Sequence, residues 1–132
     1  MASMLVFKSV KENPVTQKNG SKEEKALLFD KVSIAKSFFK KLAGLVFSRP
    51  LDFSEGLLIE NCNSIHTFWM RFAIDAVFIN RDNTVIYLKE NLKPFRLCPI
   101  IREAVSVLEL KSGAIRQKSL KKNDVLFFSN KL

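Results

Sequence analysis

The chain has 132 residues, 47% of them hydrophobic and 27% charged, with a formal net charge of +9. That length and balance fit one folded domain with a core of its own, and they exclude a disordered chain or a disulfide-stapled miniprotein. The positive charge sits toward the two ends around a nearly neutral middle and is carried mainly by Lys. Lys lacks the planar fork with which Arg reads phosphate or guanine, so specific nucleic-acid binding is not expected.

The first ten residues are too short and too interrupted for a secretory leader, and no apolar run approaches the ~20 residues of a membrane helix. The reading is therefore a cytoplasmic protein with no membrane partner, in which Cys62 and Cys98 are free thiols. Twelve Phe stand against one Trp and one Tyr, and rings without a polar handle belong mostly in the core.

In chain order, Leu5–Val10 and Ala26–Val32 look like strands, joined by a polar, aperiodic stretch over 11–25 that holds one Pro and one Gly. From Ser33 the period changes. Ile34, Ala35, Phe38, Phe39, Leu42 and Ala43 recur at helical spacing, with Ser33 as N-cap and Gly44 as stop, which predicts an amphipathic helix of about three turns. Then short β-branched and aromatic runs follow at 56–60, 65–72, 74–80, 84–89, 104–110 and 124–129. Asn80-Arg81-Asp82-Asn83 is the clearest hairpin turn between them, and a short helix is expected near Ile115–Leu120.

The only His and the only Trp fall within Asn61–Met70 (NCNSIHTFWM), with Cys62 four residues before His66. In a continuous strand that spacing spans about 13 Å, too far for a nucleophile and its base, so the two meet only if residues 61–64 turn. Such a hairpin sets Ile59 roughly opposite His66. Alternation then sends His66, Phe68, Met70, Phe72, Ile74, Ala76 and Phe78 to the core side, and leaves Trp69, Arg71 and Asp75 facing away. Indole, guanidinium and carboxylate together can line a recognition site or form a surface pair under an aromatic lid, and both readings stand. Lys93-Pro94-Phe95-Arg96-Leu97-Cys98-Pro99 is a second stretch with character: two cations and a thiol on a loop suit an anionic ligand, or a solvated connector. No zinc spacing and no glycine-rich phosphate loop occurs, so neither metal nor cofactor is expected.

At this point the residues resemble a family, the small bacterial and archaeal proteins called domain of unknown function 192. The matching pieces are AGLVFSRPL (43–51), GLLIE (56–60), HTFWMRFAIDAVFINRDNTVI (66–86) and VLELKSG (107–113), within a family-like core at 33–129. The sequence departs from the family pattern at Val46, Ala73 and Asn83, where Met, Pro and Gly are usual. The resemblance implies a compact β-barrel or sandwich with a helix and carries no established activity. It also makes Gly44, Trp69, Met70, Asp75, Glu109 and Gly113 motif residues, whether for function or for fold.

The combined reading is a single, mainly β domain: a small closed or partly open barrel or sandwich of six to eight strands, with one amphipathic and one short helix. Residues 1–25 are expected to be a partly flexible or peripheral N-terminal segment. The leading function is a binding module whose site is His66, Trp69, Arg71, Asp75 and Arg96, taking a small polar or anionic ligand or a protein partner, as a monomer or weak dimer. One alternative is a thiol enzyme with Cys62 as nucleophile and His66 as base. Another is an RNA- or assembly-associated factor using the Lys-rich ends.

Overall fold

The computed structural model describes residues 3–10, 24–35, 49–68 and 70–131. Seven strands occur among them: β1 (Met4–Val10), β2 (Glu24–Ala35), β3 (Glu55–Glu60), β4 (Ile74–Asn80), β5 (Val85–Leu92), β6 (Ala104–Lys111) and β7 (Leu126–Asn130). One short helix, α1 (Ala114–Gln117), follows β6. They form a single sheet in the order β5-β4-β6-β3-β2-β1-β7, antiparallel throughout except for β2 against β3.

The sheet curls until its edges touch. Thr84 bridges Val125, Val85 N–H donates to the Asp124 carbonyl at 2.8 Å, and Leu126 N–H donates to that of Asn83 at 2.9 Å. No full ladder joins β5 to β7, so the barrel is partly open, as the pattern of short strands predicts. The β4–β5 turn forms as read: Asn80 Oδ1 accepts from Asp82 N–H and Thr84 N–H, while Asn83 takes the left-handed conformation (φ 57°) that Asn tolerates.

Strand alternation here does not divide inside from outside. It divides two cores. From β4, Val77 and Ile79 enter an interior cluster with Val6, Phe29, Val32, Leu58, Leu108, Leu110, Ile115 and Leu126. Ile74, Ala76 and Phe78 of the same strand join a cluster on the opposite face with Leu57, Ile59, Cys62, Ile65, Met70, Cys98 and Val107. All of Ile74–Ile79 is buried.

Four expectations change accordingly. Asp75 faces the closed interior and is fully buried. The described residues of 65–72 (65–68 and 70–72) do not form a strand; they belong to a loop that covers the second face. Residues 33–35 are strand, because Ser33, Ile34 and Ala35 pair with Leu57, Leu58 and Ile59, and the remainder of the predicted helix lies outside the described residues, as does the polar connector at 11–23. Within the N-terminal segment, residues 4–10 are sheet: β1 sits between β2 and β7 with Val6 wholly buried.

Asp75 shows what the closed interior demands of a carboxylate. It accepts from the N–H groups of Asn91 (2.8 Å), Gly113 (3.1 Å) and Ile115 (2.9 Å), tying β5, the turn after β6 and the start of α1 to β4. Gly113 holds φ 95°, which only glycine adopts readily. Replacing Asp75 by Ala leaves three N–H groups without their acceptor and is expected to cost about 3 kcal/mol or more in urea unfolding, with Asp75→Asn intermediate.

Candidate functional site

The second face of the sheet is covered by two loops, described at residues 61–68 and 70–73 in the first and 93–103 in the second, locked to each other through their backbones. Ile101 N–H donates to Asn63, Cys98 N–H to Ile65, and Thr67 N–H to Arg96, all at 2.9 Å; Phe95 N–H returns to Thr67 at 3.0 Å. Thr67, fully buried, adds its hydroxyl: Oγ1–H donates to the Lys93 carbonyl at 2.6 Å and accepts from Arg96 N–H at 3.0 Å. An irregular ribbon results, with His66 paired to Leu97 rather than to Ile59, whose ladder partners are Ala35 and Val107.

Between the loops lies a groove of ≈ 700 Å³. Apolar atoms dominate its lining, from Cys62, Ile65, Leu97, Cys98, Pro99 and Ile100, with Asn61, Asn63, Ser64 and His66 as the polar groups. Sequence reading singled out both contributing stretches separately. It missed that they face each other, because the partner of 61–66 is more than thirty residues away and no local pattern marks it.

Both thiols lie in this groove and both are nearly sealed, at 7% exposure for Cys62 and 6% for Cys98. The Cys62 S–H donates to the Ser64 carbonyl at 2.9 Å, an acceptor that offers nothing to a thiolate. Burial pushes the Cys98 thiol above its usual range; Lys89 opposes this and buried Glu109 adds to it. His66 stacks against Phe68 with ring centroids 4.9 Å apart, and its Nδ1 accepts from Phe68 N–H at 3.4 Å. Sulfur and imidazole thus share the lining of one groove.

Of the predicted binding residues, His66 lines the groove, while Arg71 and Arg96 are exposed on the two loops. Asp75 is committed to the fold, and Trp69 lies outside the described residues. The loops also expose apolar side chains: Phe95 at 67%, Leu97 at 69%, Ile100 at 68% and Phe68 at 38%. Phe95 is unusual twice over, since its backbone is left-handed (φ 60°). Among the described residues the other non-glycine residues with positive φ are Asn61, Asn83, Asn91, Ser119 and Asn123, all small and polar. A bulky residue in that region costs about 1–2 kcal/mol, and a solvent-exposed ring recovers none of it by burial.

Two outcomes follow from this geometry. Thr67→Val removes the hydroxyl that joins the loops and is expected to lower stability by about 1–2 kcal/mol in urea unfolding. Both thiols should react with a disulfide reagent at pH 8 far more slowly in the native protein than in urea. Because the folded state holds the Cys98 proton more tightly, its contribution to stability falls as pH rises past ~8.5, the range in which an unfolded thiol ionises.

Comparison with known proteins agrees with this architecture. A Pyrococcus furiosus protein, UPF0127 protein PF1050, is 35% identical over 98 residues, covering 72% of this chain and 84% of the relative. A protein of unknown function from Novosphingobium aromaticivorans superposes with a TM-score of 0.70 at 17% identity, over 93% of this chain and 83% of that one. A putative transcription regulator from Sinorhizobium meliloti does so at 0.69 and 20%, over 96% and 95%. At those identities the two solved structures establish the fold alone. The DUF192 family model, described as an uncharacterized ACR, matches residues 16–128, and the chain belongs to that uncharacterised family.

Proposed function

We propose that the protein is a binding module without catalysis, acting in the cytoplasm, and that the groove between residues 61–66 and 97–100 receives an apolar group of a small ligand or of a partner's side chain. The observation that carries this reading is a groove of ≈ 700 Å³ whose walls are mostly apolar and whose few polar groups converge from one loop. Ligand sites have that composition: apolar walls for affinity and a handful of amide, hydroxyl or imidazole groups for orientation. His66, Asn61 and Asn63 take the orienting role, with Arg71 and Arg96 on the same loops supplying charge toward an anionic or polar end. Trp69, next to Phe68 in the sequence, is kept as a candidate contact. Asp75 drops out of the site, because its carboxylate already serves three backbone donors.

The thiol-enzyme alternative has one supporting fact, that Cys62, Cys98 and His66 border the same groove. Against it stand the burial of both sulfurs and the engagement of the Cys62 S–H with a carbonyl. The reading of two free thiols in a reducing compartment accords with their state.

Backbone amide NMR tests the proposal against a panel of sugars, phosphates and carboxylates bearing alkyl or aromatic groups. At least one class should shift amides of 61–66 and 97–100 together in a saturable way, and Ile100→Asp should weaken that binding about tenfold. Shifts that cluster elsewhere, or none across the panel, contradict it.

A further inference from the structure

The rim beyond the groove is not accounted for by a small ligand. Phe95 and Phe68 do not line the groove, yet together with Leu97 and Ile100 they give the two loops a row of exposed apolar tips. The row is flanked by the exposed cations Arg71, Lys93, Arg96 and Arg102. Residues 61–74 and 91–102 contain no Asp or Glu, although acidic residues occur on either side of them. The ion pairs among the described residues, Lys8–Asp124, Arg49–Glu55 and Arg116–Glu90, draw on none of these cations.

We propose that this rim docks the protein on an anionic lipid surface, inserting Phe95, Leu97 and Ile100 among the acyl chains while Arg71, Lys93, Arg96 and Arg102 meet the headgroups. The complementarity is both apolar and ionic, which is what binding at a headgroup boundary requires. A nucleic acid matches the cations and could stack on phenylalanine, but it leaves Leu97 and Ile100 without a partner. The strained backbone at Phe95 belongs to the same argument. Every other non-glycine residue with positive φ among those described is Asn or Ser, so the fold does not call for a large ring there, and the ring serves something outside the chain. The ribbon of backbone hydrogen bonds beneath fixes the tips in place, so docking requires little ordering. Peripheral docking needs no spanning helix, and no described helix is long and apolar enough to be one. The proposal does not rest on the groove having a ligand.

The test is co-sedimentation of the full chain with vesicles of equal parts phosphatidylcholine and phosphatidylglycerol, compared with phosphatidylcholine alone. Phe95→Asn removes the ring at a backbone position Asn tolerates, and K93Q/R102Q removes two exposed cations; neither touches a residue assigned to the groove's ligand. The native chain should sediment with the anionic vesicles only. Phe95→Asn should weaken that at least tenfold while melting at the native temperature or higher. K93Q/R102Q should weaken it roughly fivefold per cation. Absence of vesicle binding, vesicle binding indifferent to Phe95→Asn, or unfolding of Phe95→Asn would overturn the proposal. So would tight capture of a single-stranded oligonucleotide or an acidic peptide in place of the vesicles.

Discussion

The structure depends on the burial of both faces of its central strands. β3, β4 and β6 cannot leave a polar face to water, because the curled sheet closes over one side and the loops at 61–73 and 93–103 cover the other. Two cores therefore share one set of strands. Each alternate residue of β4 contributes to a different core, and the loops become a packed layer rather than connectors. That layer must satisfy its own backbone without a regular ladder, which is why Thr67, a single hydroxyl held between Lys93 and Arg96, is wholly buried.

The same constraint determines the parts of the fold that were legible in the sequence. Strand runs rich in Val, Ile and Phe, the Asn80–Asn83 turn and the short helix after β6 announce themselves through local chemistry, and apart from the run at 65–72 each forms at or near its expected place. Local chemistry fails where long-range packing decides. Alternation from His66 to Phe78 assumes one core and one wet face; with two cores, parity cannot tell Asp75 from a surface residue. Helical spacing from Ser33 fails for a related reason, since Ile34 and Ala35 find a parallel partner in β3 and stay extended. The partner of the His66 segment, thirty residues on, leaves no trace in the spacing of either stretch.

Several family motif residues prove to be fold determinants. Asp75 and Gly113 belong to separate motifs in the sequence and meet in space, the carboxylate accepting from the glycine N–H that its left-handed backbone presents. Gly56 lies so close to β6 that an added Cβ would meet Leu110 Cδ2 at 3.0 Å. Met70 packs in the second core. The apolar groove, the three most exposed large apolar side chains among the described residues and the strained Phe95 all lie in the loop layer. A division of labour follows, in which the sheet and its carboxylate cap hold the framework and the two paired loops carry recognition.

That division requires the loops to be as fixed as the strands they cover. Native-state hydrogen exchange measures this directly. The amides of Thr67, Phe95, Cys98 and Ile101 should open with free energies close to those of β4, since breaking the ribbon uncovers the second core. Exchange of those four amides at the rate of an unprotected loop, with β4 still protected, would contradict the account.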